Sequence, residues 1–182
     1  MRRISLIAGA VLAGALAASA QAEGFRLTSS TIAEGAQMNE EQVFAGFGCD
    51  GGNRSPQLSW SGAPEGTKSF AVTAYDPDAP TGSGWWHWQV VDIPASVTTL
   101  EAGASGTAAM PAGAKEISND YGVTSFGGAC PPPGEVHRYI FTIYALPVDT
   151  LGLPDGARNA LAGFMINSMT LGSARITAVY TR

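Results

Sequence analysis

Four stretches of this chain carry runs of β-branched and aromatic residues that alternate with polar ones or stand together. They are SFAVTAYD at 69–76, WHWQVVDIP at 86–94, RYIFTIYALP at 138–147 and ARITAVY at 174–180. Such residues suit a pleated, half-buried surface, and each run stops at a turn residue or the chain end, so each is predicted to be a strand. FRLTS at 25–29 and PQLSW at 56–60 are shorter candidates. A connection of about ten residues predicts a hairpin between the first two long strands. The Asp76 end of one then adjoins the His87 start of the other.

The period changes once, late in the chain. In ARNALAGFMINSMTL at 157–171, the residues Ala157, Ala160, Leu161, Phe164, Met165 and Met169 fall at helical spacing after a Pro154-Asp155-Gly156 turn. A helix is predicted there, with that stripe packed on the sheet. Between the periodic segments lie GFGCDGGNRSP, PDAPTGSG and FGGACPPPG; with 23 Gly and 11 Pro in the chain, long loops should form much of the surface. No repeat, linker or low-complexity tail interrupts the pattern. The expected architecture is a single β-rich (α+β) domain with one late helix.

The first residues follow a different logic. Arg2 and Arg3 precede an apolar, uncharged run from 4 to 18, and Ala20-Gln21-Ala22 supplies the small residues of a cleavage site. This is the three-part pattern of a secretory signal peptide, too short to span a bilayer. Residues 1–22 are therefore set apart and 23–182 taken as the domain, with Glu23 the expected mature N-terminus and cleavage after Ala20 the alternative. Without Arg2 and Arg3 there remain 8 basic against 15 acidic residues, and no Lys/Arg cluster. Nucleic acid and anionic membrane surfaces are poor partners for such a chain. Cys49 and Cys130 are the only cysteines. In an exported chain they most simply form one disulfide, and neither has a neighbour at metal-ligand spacing.

The candidate chemistry sits in AYDPDAPTGSGWWHWQVVDIP at 74–94 and PPPGEVHRYIF at 131–141. In extended chain, Asp76 and Asp78 point to one side, although Asp-Pro and Asp-Ala-Pro are also ordinary turn formers. Alternation puts Trp85 and His87 on one face of their strand and Trp86 and Trp88 on the other. His137 and Tyr139 likewise share a face, with Arg138 opposite. Two histidines, a phenol and a carboxylate at adjoining strand ends would make a small pocket whose imidazole N–H, tyrosine O–H and Gly-rich backbone donate to an anion. Competing readings are weaker. GFGCDG matches a dinucleotide-binding pattern but no helix follows it, and G-x-S-x-G is absent. Asp76, Asp78, His87 and His137 are adequate metal ligands, yet nothing in their spacing favours a metal. Packed, purely structural histidines and a serine hydrolase stay open on the residues alone.

YDPDAPTGSGWWHW followed by NDYGVTSFGGACPPPGEVHRYIFTIYAL resembles the phosphatidylethanolamine-binding protein family, and most closely its bacterial Raf-kinase-inhibitor-like branch of the YbhB/YbcL kind, the exported YbcL type in particular. The resemblance runs from GFRLTSS to SARITAVYTR. It implies a central antiparallel sheet with a smaller sheet and peripheral helices, and a pocket for phosphate-like and other anions. Carried onto this chain, the pocket comprises Asp76, Asp78, Trp85, His87, His137 and Tyr139, with Gly128, Pro131 and Pro132 in its rim. The expected function is therefore non-enzymatic binding of a small phosphate-like or carboxylate anion in the periplasm or outside the cell, with no cofactor and no metal. The rival is an inhibitor or signalling-interaction protein acting on a hydrolase or a host protein. A protein partner and a homodimer both stay open.

Overall fold

A computed structural model describes residues 24–182. The signal-peptide expectation for 1–22, and the cleavage point at Glu23, lie outside the described residues.

The strands are β1 (Arg26–Thr28), β2 (Ala45–Gly46), β3 (Cys49–Asp50), β4 (Leu58–Ser61), β5 (Ser69–Asp76), β6 (Trp85–Pro94), β7 (Thr99–Leu100), β8 (Lys115–Glu116), β9 (Val136–Leu146) and β10 (Gly172–Thr181); the helix α1 spans Asn159–Met169. Every long stretch expected to be a strand is one, with ends that shift by one or two residues. The central sheet has the order β10-β9-β5-β6-β8, a smaller sheet the order β1-β4-β7, and β2-β3 form a two-residue ribbon. All the strand pairs in these sheets are antiparallel.

The core lies in two layers, one on each face of the central sheet. One face carries Phe70, Val72, Ala74, Phe141 and Ile143 against Leu27, Leu58, Trp60 and Leu100 of the smaller sheet. The other carries Ala71, Val91 and Leu146 against Ala162 and Ile166 of α1. Burying a Leu, Ile or Phe side chain contributes roughly 1.5–3 kcal/mol, so this sandwich of small sheet, central sheet and helix is what holds the site-bearing strands in place.

Two expectations are corrected. The buried stripe of α1 is not Ala157/Leu161/Phe164. Ala162 and Ile166 are buried, Met165 and Met169 pack beside them, and Leu161 and Phe164 face outward, Phe164 being 68% exposed. The helix is apolar most of the way round, so its period does not single out one face. Packing chooses the stripe at 162, 165, 166 and 169, where small Ala162 admits a close approach to the sheet.

The second correction concerns the tryptophans. Strict alternation along β6 fails because the β5–β6 ladder slips: Ala74 faces Trp88, Tyr75 faces Trp86 and Asp76 faces Trp85, leaving His87 with no partner on β5. This is the signature of a β-bulge, in which two residues of one strand oppose one of the other. Trp88 therefore stands on the same face as Ala74, inside the larger core, and Trp86 lies on the opposite face, 4.5 Å from the Tyr75 ring.

Candidate functional site

The end of β5 and the start of β9 meet at Asp76. Its Oδ1 accepts the backbone N–H groups of Asp78 at 2.8 Å and Ala79 at 3.1 Å, the local turn that Asp-Pro-Asp favours. Its Oδ2 accepts His137 Nδ1–H at 2.7 Å. His137 Nε2–H in turn donates to Glu135 Oε2 at 3.0 Å. Burial works against charge on His137, but the Glu135 and Asp76 carboxylates outweigh it and raise its pKa. His137 is thus an imidazolium held between two carboxylates.

His87 is built differently. Its Nδ1 lies 2.8 Å from the Gly127 carbonyl oxygen and 3.1 Å from that of Gly128. Carbonyls only accept, so Nδ1 carries the hydrogen and Nε2 of the neutral ring presents a lone pair. Burial lowers the pKa of His87, against the opposing pull of the Gly127 carbonyl and of Asp76. Its Nε2 is buried without a partner, and the same is true of Trp85 Nε1 and Tyr139 Oη. The Cys130 backbone approaches Tyr139 Oη without closing a hydrogen bond. Burial first, and Asp76 second, push the Tyr139 and Tyr121 phenols up, so both keep their protons.

These groups line a cavity of about 220 Å³. Of the expected residues, Asp76, Trp85, His87, Pro132, His137 and Tyr139 are in its wall. Asp78, Gly128 and Pro131 are not. Asp78 turns outward and pairs with Arg138, its Oδ1 accepting Nη2–H at 2.7 Å and its Oδ2 accepting Nε–H at 2.9 Å. That guanidinium holds the Asp78 carboxyl down at about 2. The turn begun at Asp76 breaks the extended geometry that would have kept the two aspartates side by side. Gly128 lies behind the wall, its carbonyl taken by His87 and by Tyr121 O–H at 2.9 Å. The Pro131 carbonyl accepts Arg182 Nε–H. Of the four residues considered as metal ligands, Asp78 therefore leaves the cavity, and the described residues hold no cluster of three or more His, Cys, Asp or Glu that could grip an ion.

Both expected donors are also reassigned. Neither histidine offers a spare N–H to the cavity: the one hydrogen of His87 goes to backbone, and both of His137 go to carboxylates.

The rim is held from several sides. Cys49 and Cys130 form a disulfide, and Cys130 lines the cavity. Gly128 N–H donates to Asn53 Oδ1 at 2.7 Å, and Val43 forms a parallel bridge with Ala129. The approach is so close that a Cβ on Gly128 would lie 2.5 Å from Gln42 O and Phe44 N. Gly128→Ala is expected to force these backbones apart at a cost of about 1–3 kcal/mol. Chemical denaturation measures it, and wild-type stability in the variant would refute the close approach.

Besides Ala79, Pro80 and Thr81 of the loop after Asp78, three further residues at the site escaped the sequence reading. Tyr121 stacks on Phe44 at 4.0 Å and meets Trp85 edge-on at 5.2 Å. Phe47, at φ 55° and 72% exposed, stands in the cavity wall. Glu135 touches His137. All three sit in loops where no period marks them; NDYG and GEVH within the resembling motifs were the only signals.

Comparison with known proteins agrees with this architecture. The pattern described as phosphatidylethanolamine-binding protein matches residues 28–181. The chain is 52% identical to the UPF0098 protein YbcL of Escherichia coli over 97% of both chains. It is 48% identical to UPF0098 protein YbhB of the same organism, over 86% of this chain and 99% of that one. The crystal structure of E. coli YbcL superposes with a TM-score of 0.85 at 51% identity, covering 88% of this chain and 99% of the other. A family model that matches nearly all of the described residues, together with relatives about half identical over most of both chains, shows that the chain belongs to the phosphatidylethanolamine-binding protein family.

Proposed function

We propose that this protein is a non-enzymatic binding protein, exported to the periplasm or beyond, whose ligand is a small phosphate-bearing anion. One observation carries the reading: Trp85 Nε1, His87 Nε2 and Tyr139 Oη are all buried and unpartnered, and all three residues line one cavity. An unpaired buried polar group costs roughly 1–3 kcal/mol, so three in one small space point to an occupant that satisfies them. The indole donates, the phenol donates or accepts, and the neutral imidazole can only accept. A group with several acceptor oxygens and one hydroxyl hydrogen meets all three together. Monoprotonated phosphate, or a phosphate monoester, is such a group; a bare carboxylate leaves His87 unmet. The His137 imidazolium beside them offsets the charge of Asp76, which would otherwise repel an anion.

Binding without turnover is favoured because the wall offers no hydroxyl or thiol activated by a base. Thr81 Oγ1–H is committed to the Gly84 carbonyl and the Cys130 sulfur to its disulfide. Export is supported by that disulfide together with the basic, apolar, small-residue order of the first 22 positions.

Tyr139→Phe separates a ligand-binding role from a structural one. Its hydroxyl makes no hydrogen bond in the free protein, so the variant should be at least as stable as wild type. Phosphoethanolamine binding should weaken by about 1 kcal/mol, the usual worth of one neutral hydrogen bond. Calorimetric titration and thermal melts read the two effects. Equal affinity in variant and wild type would remove Tyr139 from the site.

The same geometry sets a pH dependence. One hydrogen must lie between the ligand and His87 Nε2, brought by the phosphate or taken up by the imidazole. Affinity should therefore rise as pH falls from 8 towards 6, by at most about tenfold per unit. Titrations at three pH values test it. Absence of binding throughout, or a flat profile, would hand the lead to the protein-interaction reading.

A further inference from the structure

His137 has two carboxylate partners, and they are not equivalent. Asp76 is 4% exposed in its side chain and is anchored by two backbone N–H groups besides the imidazolium. The Glu135 side chain is 54% exposed, and no other side-chain hydrogen bond of its own ties it down among the described residues. It follows Gly134, which stands at φ 84°, and its backbone N–H reaches back to the carbonyl of Pro132, a residue of the cavity wall. The His137 side chain itself is only 3% exposed. Glu135 is thus a half-exposed carboxylate carried by the turn at the cavity wall, covering the one charged donor nitrogen next to the cavity that is not locked into the interior.

We infer that Glu135 is a built-in competitor, a tethered carboxylate that occupies His137 Nε2 until a phosphate-bearing ligand displaces it. This rests on the anion-binding reading above. Chemically, the exchange swaps one acceptor on the imidazolium for another, so the incoming anion gains only the difference. A monocarboxylate brings the same charge and the same kind of oxygen as Glu135, without the advantage of being tethered, and cannot displace it. A phosphate adds charge and supplies the further oxygens and hydroxyl hydrogen that Trp85, His87 and Tyr139 require. The device sets a threshold that rejects simple carboxylates and passes phosphates.

Glu135→Gln keeps the shape and removes the charge. Calorimetry of the full mature chain with inorganic phosphate and with acetate, at about 0.15 M ionic strength where charges beyond roughly 8 Å are screened, gives the main result. Phosphate should bind roughly two- to fivefold tighter in the variant, the range expected on releasing a half-exposed ion pair. Acetate, silent in wild type, should become measurable. Asp50→Asn, which removes one charge from the ribbon beside the disulfide without touching His137, should change phosphate affinity by less than about 1.5-fold at this screening.

A ligand-free measurement accompanies it. The titratable groups around His137 are Asp76 at the end of β5, Asp78 just beyond it, Glu135 before β9, His87 of β6 in the same cavity, and Tyr180 opposite it on β10. NMR titration of the His137 ring should show a lower pKa in Glu135→Gln than in wild type. Unchanged phosphate affinity with wild type still binding, or an equal gain in Asp50→Asn, overturns the competitor and leaves the binding site standing. An unmoved His137 titration also overturns it. Failure of wild type and variant alike to bind phosphate overturns both ideas, whereas binding by the variant alone supports the competitor most directly.

Discussion

Replacing both cysteines by serine is expected to lower the unfolding free energy by about 4.5 kcal/mol, from the loop-closure entropy that the crosslink removes from the unfolded chain. The size follows from the 81-residue separation of Cys49 and Cys130. For a domain whose whole stability is typically 5–15 kcal/mol, this is the difference between a robust fold and a marginal one. The effect on the site should be much smaller. The rim is also held by the Val43–Ala129 bridge and by the bond from Gly128 N–H to Asn53, neither of which needs the sulfurs. Urea unfolding should thus show a strongly lowered midpoint, while the folded variant binds phosphoethanolamine within about tenfold of wild type. A midpoint unchanged on removing the bond would mean that the crosslink restrains nothing the unfolded chain would explore.

Asp76→Ala should cost about 3–5 kcal/mol, the range for breaking one side of a buried ion pair. Three hydrogen bonds go together: those from Asp78 N–H, Ala79 N–H and His137 Nδ1–H. Asp76→Asn is the informative companion. Its oxygen can still accept the two backbone N–H groups, but its NH₂ meets His137 Nδ1 as a donor and favours the neutral ring. The pH dependence then shifts in a definite direction. In wild type the raised pKa of His137 makes its contribution complete below the unfolded value near 6.5, and lost as pH rises through the folded value. The lowered pKa of His87 acts oppositely, its contribution being present above 6.5 and lost as pH falls through the folded value. With Asp76→Asn, the His87 behaviour should dominate, so stability declines from pH 7 to 5 more steeply than in wild type. Denaturation midpoints across that range measure it. Parallel curves for the two proteins would show that Asp76 does not govern the charge of His137.

Much of the sheet was legible because its strands are long, β-branched and aromatic, and because one face of each strand meets a core. Residues 69–76 and 138–146 announce themselves by composition alone. The helix was legible as a helix but not as a face, since Leu161, Phe164, Met165 and Ile166 leave no polar side to exclude. The bulge was invisible: no residue type in WWHW signals an extra position, and the slip is decided by how β6 must pair with β5. At the cavity, the strand-end residues Asp76, Trp85, His87, His137 and Tyr139 could be singled out by alternation, whereas Phe47 and Tyr121 reach the wall from loops that no period marks. Asp78 points away from the cavity because the turn begun at Asp76 directs it to Arg138, a partner 60 positions away. Tyr121 and Glu135 carry no periodic mark, and their roles depend on contacts that only the folded chain creates.

The bulge in β6 has a consequence for how this protein can change over evolutionary time. A residue in a regular ladder is answerable to a neighbour across the strand pair, so altering it disturbs two positions at once. Position 87 has no such neighbour on β5, yet its side chain lines the cavity. Chemistry can therefore be exchanged there with little penalty in strand pairing, and a descendant could trade imidazole for another group and acquire a different ligand on an unaltered sheet.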